Sequence, residues 1–63
     1  MAKKILRRPA VEDRTGLPRS TIYYLMARNE FPRPIKLSAR SVGWDSESVE
    51  AWIEQRIKES RAA

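Results

Sequence analysis

The side chains best equipped for chemistry in this sequence are binding groups, and several of them fall within residues 19–28. Arg19, Ser20 and Tyr23 have spacings that place them on one side of a helix. Arginine and serine side chains hydrogen-bond to phosphates and to the edges of bases. The segment therefore predicts a surface for a polyanion, and nucleic acid is the polyanion that fits this chemistry.

Catalysis is not expected from the composition. The 63 residues include no histidine and no cysteine, which removes imidazole bases, thiolate nucleophiles and the commonest zinc ligands. Gly16 and Gly43 are the only glycines, so the sequence contains no glycine-rich phosphate loop. We expect a protein that is not an enzyme and that has no metal site and no cofactor.

The positive charge is unevenly distributed along the chain. Residues 1–44 carry ten Lys and Arg against three acidic residues, whereas residues 45–63 carry three against five. Arginine outnumbers lysine nine to four, and its planar guanidinium binds phosphate and guanine through two hydrogen bonds. The pattern predicts that residues 1–44 face a polyanion, although a charge bias alone fits an ordinary solvated surface equally well.

The apolar segments are too short for a membrane protein. The longest apolar runs are only a few residues long, so no membrane span is expected. The apolar Ile5-Leu6 is followed by Arg7-Arg8-Pro9 before the hydrophobic region of a signal peptide can form. We therefore expect a cytoplasmic protein.

Two short helices are predicted on either side of a tight connection. Pro9 suits the first turn of a helix over residues 8–16, and Gly16 suits its left-handed end. Ile22, Leu25 and Met26 repeat at the i, i+3, i+4 spacing of a second helix. Helices separated by so few residues are typical of a helix-turn-helix.

The start of the second helix has two interpretations. If it starts at Pro18, the backbone amides of Arg19 to Thr21 lack a local acceptor and are free to donate to a DNA phosphate. Alternatively, Ser20 caps the helix, which then begins one turn later. Of the two neighbouring tyrosines, Tyr23 is predicted to be the more exposed and Tyr24 to lie at the border of the core.

A β-hairpin is predicted after the second helix. Pro32 and Pro34 end the helix and favour an extended chain. Residues 35–37 and 42–44 suit two short strands, and the polar residues 38–41 suit the turn between them. Because basic residues lie along it, the hairpin is predicted to be the DNA-contacting wing of a winged helix-turn-helix. The alternative is a purely structural hairpin whose charges only keep the protein soluble.

The last segment predicts a long amphipathic helix. Asp45 suits its N-cap, and the apolar positions from Val49 to Ile57 keep helical spacing through Lys58. Glu50 and Glu54 form a like-charged i, i+4 pair, which does not favour the helix. The outer face is therefore either an ordinary solvated surface or an acidic patch for a protein partner.

These segments predict one domain over residues 1–63 of the mainly helical α+β class, with three helices and a two-stranded β-hairpin wing. Residues 1–7 are expected to form a basic N-terminal arm and residues 59–63 a frayed C-terminus. The predicted core consists of Leu6, Val11, Leu17, Ile22, Leu25, Met26, Phe31, Ile35, Val42, Trp44, Val49, Trp52, Ile53 and Ile57.

Four stretches in succession identify a family resemblance. They are TGLPRSTIY at residues 15–23, FPRPIKL at residues 31–37, VGW at residues 42–44 and VEAW at residues 49–52. In this order they resemble the AlpA family of phage-type regulators, and the resemblance covers roughly residues 5–57. It implies a MerR-like winged helix-turn-helix, related to small excisionases, that binds DNA at prophage or genomic-island promoters. The sequence departs from the family's pattern at Pro18, where a capping residue such as Ser is expected.

The spacing and the charge of the residues assign candidate DNA contacts. The recognition-helix candidates are Arg19, Ser20, Thr21, Tyr23, Tyr24 and Arg28, and the wing candidates are Arg33, Lys36, Ser38, Arg40 and Ser41. Arg19, Ser20 and Tyr23 are expected at base edges or adjacent phosphates, and Arg40 in the minor groove. The other helix and wing candidates are expected at phosphates or beside the wing turn.

Three functions are compatible with this reading. The first is a sequence-specific double-stranded DNA-binding regulator of transcription, an activator or other positive regulator, associated with the nucleoid of a bacterium. The second is an excisionase-like architectural protein that bends DNA. The third is a protein-interaction module that contacts RNA polymerase or a recombinase through Glu50 and Glu54. A monomer in solution, with several copies on adjacent DNA sites, is compatible with the first two.

Overall fold

The computed structural model describes residues 4–62 and confirms the mainly helical α+β class. Three helices pack with a small antiparallel sheet, in the arrangement of a winged helix-turn-helix. In chain order the elements are β1 (Ile5–Leu6), α1 (Arg8–Thr15), α2 (Arg19–Ala27), β2 (Ile35–Ser38), β3 (Ser41–Asp45) and α3 (Ser46–Ala62). None of the described helices is both long enough and apolar enough to cross a membrane.

The connection between α1 and α2 follows the predicted glycine stop. Gly16 has a φ of 73°, a left-handed conformation that glycine adopts without steric cost, and its amide donates to the Glu12 carbonyl. Pro18 is the N-cap of α2 and offers no side-chain cap, so α2 begins at Arg19. The alternative in which Ser20 caps the helix is wrong, because Ser20 is the second residue of α2.

The sheet contains a strand that the sequence pattern did not predict. The strand order is β1-β3-β2, and Leu6 of β1 pairs with Trp44 of β3. Beside this pair, the Ser46 amide donates to the Lys4 carbonyl over 2.8 Å. Ile5 and Leu6 of the expected N-terminal arm therefore belong to the sheet, and Lys4 is hydrogen-bonded beside them. Lys3 and the two residues before it lie outside the described residues.

The strands β2 and β3 form the wing, residues 35–45. Both predicted strands lie within the observed ones, and the turn at Ala39-Arg40 separates them. The register shifts between Lys36 and Ser38, where the pairing with β3 is irregular. This hairpin places Arg40 at the tip of the wing.

The core is smaller than the predicted set. The buried side chains are Leu6, Val11, Ile22, Phe31, Trp44 and Val49, and Leu17, Leu25, Met26, Trp52 and Ile53 are partly buried against them. Ile35, Val42 and Ile57 are 41–44% exposed, so their assignment to the core is wrong. The wing leaves part of its sheet unpacked, and Ile57 lies beyond the turns of α3 that contact the core.

The helix α3 begins at the predicted cap and continues past the predicted end. The Asp45 carboxylate accepts hydrogen bonds from the Glu47 amide at 3.1 Å and from the Ser48 hydroxyl at 3.4 Å. The helix extends to Ala62, so residues 59–62 are helical, and Ala63 lies outside the described residues. Glu59 supports this last part by accepting a hydrogen bond from Gln55 at 3.0 Å.

Gly43 provides a test of the contact between β1 and β3. A Cβ atom at this position would collide with Cγ2 of Ile5 and would lie 3.1 Å from the Leu6 carbonyl oxygen. We expect Gly43→Ala to lower the free energy of unfolding by about 1–3 kcal/mol, because the strands cannot both keep their positions. Urea unfolding measures this loss.

The Ile5→Ala variant is the matched control for this prediction. Ile5 is 40% exposed, so its truncation alone should cost less than Gly43→Ala. In the double variant the removed side chain leaves room for the new Cβ, and the two losses should be less than additive. Full additivity would contradict the proposed collision.

Candidate nucleic-acid interface

The start of α2 presents two backbone amides without an acceptor among the described residues. The amides of Thr21 and Ile22 both donate to the Pro18 carbonyl over 3.1 Å, which corrects the prediction that the Thr21 amide is free. The amides of Arg19 and Ser20 precede the first internal hydrogen bonds of the helix. This end of α2 can therefore donate to an anion, and the side chains of Arg19 and Ser20 are exposed beside it.

Arg19 and Tyr23 form one unit on the exposed face of α2. The Arg19 guanidinium lies over the Tyr23 ring, with 5.6 Å between its central carbon and the ring centroid. Such a contact contributes about 0.5–1 kcal/mol at an exposed site, and it restricts where the guanidinium can go. Two of the three side chains that were predicted at base edges or adjacent phosphates, Arg19 and Tyr23, are thus held side by side.

The relative exposure of the two tyrosines is opposite to the prediction. Tyr23 is 42% exposed and Tyr24 is 60% exposed. Tyr23 is the more covered because it also faces the start of α1 and the wing. Tyr24 instead carries the Arg28 guanidinium over its ring at 5.5 Å.

The α2 residues that were predicted to bind phosphates differ in their exposure and in their contacts with other side chains. Thr21 is half-buried, whereas Tyr24 and Arg28 are exposed. The Nε atom of Arg28 lies 3.4 Å from a carboxylate oxygen of Glu30, which neutralises part of its charge. Arg28 can reach an external phosphate only in competition with Glu30.

Two tryptophan indoles hold the segment between α2 and the wing. The Trp52 indole donates to the Glu30 carbonyl over 2.7 Å, and the Trp44 indole donates to the Pro32 carbonyl over 3.0 Å. Phe31, between these two carbonyls in the sequence, is buried with its ring edge-on to Trp52 at 4.9 Å. These contacts fix the direction in which the chain leaves α2, and hence the position of the wing.

The wing candidates are mostly exposed. Lys36, Ser38 and Arg40 are exposed, and Ser41 is half-buried at the start of β3. Arg33, just before the wing, donates a hydrogen bond to the Asn29 side chain over 2.7 Å. Its guanidinium is therefore held against Asn29, just after the end of α2. Lys36, in contrast, is exposed on the wing itself.

A concavity of about 240 Å³ lies where α2, the wing and the start of α1 meet, and it is partly open to solvent. We refer to it as the arginine cleft. Its lining residues are Arg7, Arg8, Pro9, Tyr23, Arg40, Val42 and Trp44. The cleft brings Tyr23 of α2 together with Arg40 of the wing, two candidates that are 17 positions apart in the sequence.

Arg7 and Arg8 were not among the predicted site residues. The sequence places them directly before Pro9, the residue that marks the start of α1. A basic pair at the start of the first helix of a helix-turn-helix was the pattern that could have identified them. Their position against the wing, however, depends on the pairing of β1 with β3, which the sequence pattern did not predict.

The two acidic candidates on α3 have different surroundings. Glu50 forms an ion pair with Arg14 of α1, and both side chains are a little under half exposed. Glu54 is exposed, and no ion pair joins it to another described residue. The Arg14 contact explains why Glu50 is tolerated four residues before another glutamate, because it links α3 to α1.

The chain resembles regulatory proteins of phages and prophages. A family model described as the prophage CP4-57 regulatory protein (AlpA) matches residues 4–57. The uncharacterized protein ORF88 of Enterobacteria phage P4 is 42% identical over 55 residues, a match that covers 87% of this chain and 62% of that protein. This chain therefore spans less than two thirds of the phage protein's length.

A second relative matches over nearly its full length. The DNA-binding transcriptional activator AlpA of Escherichia coli (strain K12) is 40% identical over 63 residues, and the match covers 90% of each chain.

Glu50 and Glu54 provide a matched pair of variants. We expect Glu50→Gln to lower the free energy of unfolding by no more than about 1 kcal/mol, since the pair with Arg14 is partly solvated. Glu54→Gln should leave stability unchanged or raise it slightly by removing a like charge. Thermal unfolding of both variants, and of Arg14→Gln with and without Glu50→Gln, measures the coupling. Equal effects of the two glutamate variants would contradict the proposed contact between α1 and α3.

Proposed function

The chain belongs to the AlpA family of prophage regulatory proteins, and on this premise we propose that it binds double-stranded DNA sequence-specifically and regulates transcription. The observation that carries the proposal is that α2 and the wing meet at the arginine cleft, where Tyr23 and Arg40 line one basic surface. A polyanion bound at this cleft would therefore contact both α2 and the wing.

The helix α2 supplies the groups that would read bases. A helix fits the major groove of B-DNA, and its first residues are the ones that approach the base edges in a helix-turn-helix. Arg19 and Ser20 occupy these first positions, and Tyr23 follows one turn later. In this proposal Arg19 contacts a base edge through its guanidinium, while the free amides of α2 approach an adjacent phosphate.

The remaining α2 residues would bind the DNA backbone. Thr21 and Tyr24 carry hydroxyl groups that donate to phosphate oxygens, and Arg28 adds charge at the far end of the helix. Because Glu30 competes for Arg28, we assign Arg28 a smaller share of the binding free energy than Arg19.

The wing would bind next to the groove that α2 occupies. We assign Arg40, at the exposed tip, to the neighbouring minor groove, where the strongly negative potential attracts an arginine. Arg33 and Lys36 are assigned to flanking phosphates, and Ser38 and Ser41 flank the turn that presents Arg40. The hydrogen bond from Arg33 to Asn29 restricts the Arg33 side chain before DNA arrives, which lowers the entropic cost of ordering it.

We further propose that the chain acts as a positive regulator, and its similarity to an Escherichia coli DNA-binding transcriptional activator supports this output. The proposed work is binding with no chemical step, carried out in the cytoplasm at the bacterial nucleoid. A contact with RNA polymerase or a recombinase would have to use α3. Since Glu50 is engaged by Arg14, we retain Glu54 as the acidic residue available for it.

Arg19→Ala tests whether α2 reads sequence. On a duplex selected from a random library by the wild-type protein, we expect the loss of Arg19 to cost about 1–3 kcal/mol and to relax preference at one base pair. Fluorescence anisotropy on the selected duplex and on duplexes changed at single positions measures both effects.

Lys58→Ala is the control for this experiment, because it removes one exposed positive charge from α3, away from the proposed interface. It should leave the sequence preference unchanged. If Arg19→Ala instead weakened binding to the selected and to random duplexes equally, Arg19 would be a phosphate contact and the base-reading assignment would be wrong.

A further inference from the structure

The arginine cleft combines strong positive charge with a small apolar floor. Arg7 and Arg8 enter it from the start of α1, and Arg40 enters it from the tip of the wing. Trp44, 1% exposed, and Val42 form part of its base. No acidic residue is among the described residues that line it.

The guanidinium groups of the cleft remain available to an anion. Within residues 4–62, no ion pair engages Arg7 or Arg40. Arg8 pairs with Glu12 through its Nε atom over 3.1 Å, which leaves its two terminal nitrogens for a second acceptor. Three arginines that line one small volume suit a tetrahedral oxyanion such as phosphate, which arginine binds through paired hydrogen bonds.

The size of the cleft limits the form in which phosphate can be bound. Sites for whole cofactors and drug-sized ligands usually enclose about 300–1,000 Å³, and this cleft of about 240 Å³ is also partly open. It has room for a phosphodiester with part of its sugars. An open cleft of this size suits a phosphate that belongs to a continuous backbone passing across it.

The position of the cleft identifies the backbone. In B-DNA a sugar-phosphate strand separates the major groove from the neighbouring minor groove. A protein with a helix in one groove and a hairpin in the other must therefore span that strand. The cleft lies between Tyr23 of α2 and Arg40 of the wing, at the point where this strand has to cross.

Resting on the DNA-binding function proposed above, we propose that Arg7 and Arg8, with Arg40, bind a single backbone phosphate between the two grooves. This contact holds α2 and the wing in a common register on the duplex. Because phosphates are the same at every base pair, Arg7 and Arg8 are positioning residues that add affinity without selecting sequence.

The salt dependence of DNA binding tests the proposal. Each phosphate that a protein neutralises contributes about 0.9 to the slope of log K against log salt concentration. We expect Arg7→Gln/Arg8→Gln to reduce that slope by about one, and to weaken binding at 0.1 M salt roughly five- to tenfold. The loss should be the same on a selected and on a random 20-base-pair duplex. Arg7→Gln alone should give a smaller loss of the same kind.

Two variants separate this effect from general charge and from folding. Arg61→Gln, at the end of α3, removes one exposed positive charge outside the cleft and is the control for Arg7→Gln. Arg8→Gln also breaks the ion pair with Glu12 within α1, so circular dichroism and thermal unfolding must show that the double variant is folded. If it is not, Arg7→Gln decides the matter, because Arg7 precedes α1 and forms no ion pair among the described residues.

A modified duplex locates the phosphate. Neutral methylphosphonate groups replace the phosphates of the selected duplex one at a time. One substitution should weaken wild-type binding about as much as the double variant does, and the same substitution should add almost nothing to that variant. Equal losses for both proteins at every position would overturn the proposal.

The remaining outcomes distinguish this inference from the function on which it rests. If the wild-type protein binds DNA and the cleft variants match Arg61→Gln, the cleft proposal fails and the DNA-binding function stands. If the wild-type protein binds no duplex, both fail. A titration with inorganic phosphate, followed through the arginine side-chain NMR signals, tests whether the cleft binds a free phosphate ion and not a DNA phosphate. Submillimolar binding at Arg7 and Arg8, with DNA affinity unchanged in the variants, would assign the cleft to a free anion and overturn the proposal.

Discussion

The structure depends above all on the burial of one side chain, Trp44, in the central strand of the sheet. In the sheet, Trp44 is the strand partner of Leu6, and its indole donates to the Pro32 carbonyl over 3.0 Å. Trp44 is only 1% exposed. A chain of 63 residues buries little apolar surface, so a single large aromatic group contributes much of its core. Through these contacts Trp44 joins the start of the chain, the segment after α2 and the wing.

The proposed DNA surface is a direct consequence of this arrangement. Pairing of β1 with β3 brings the residues just before α1 against the wing, and the outer edge of Trp44 becomes part of the arginine cleft. The Trp52 and Trp44 indoles hold the segment that leaves α2, so the positions of α2 and the wing are linked through these contacts. Two elements that would read separate grooves are in this way joined through one core, and the core that stabilises the fold also sets the geometry of the proposed binding surface.

The sequence predicted the elements whose causes are local and failed where the cause is a distant contact. The predicted helices and hairpin are confirmed because the signals for them are local. These signals are the helix stop at Gly16, the helical spacing of apolar residues from Ile22, and the prolines before the wing. The strand β1 has only two residues and forms by pairing with β3, some 40 positions away. A two-residue strand is too short for a periodic pattern in the sequence to predict it. The exposure of Tyr23, the ion pair between Arg14 and Glu50, and the approach of Arg7 to Arg40 also depend on tertiary packing.

In the proposed function, α2, the wing and the start of α1 form one DNA-binding surface to which α3 does not contribute. The most direct measurement is a titration of the isotope-labelled protein with a selected 20-base-pair duplex, followed by backbone and side-chain NMR shifts. The largest shifts should occur at Arg7, Arg19, Tyr23 and Arg40, with little change at Glu54. Large shifts along the outer face of α3, with the wing and the arginine cleft unaffected, would contradict the proposed DNA-binding surface.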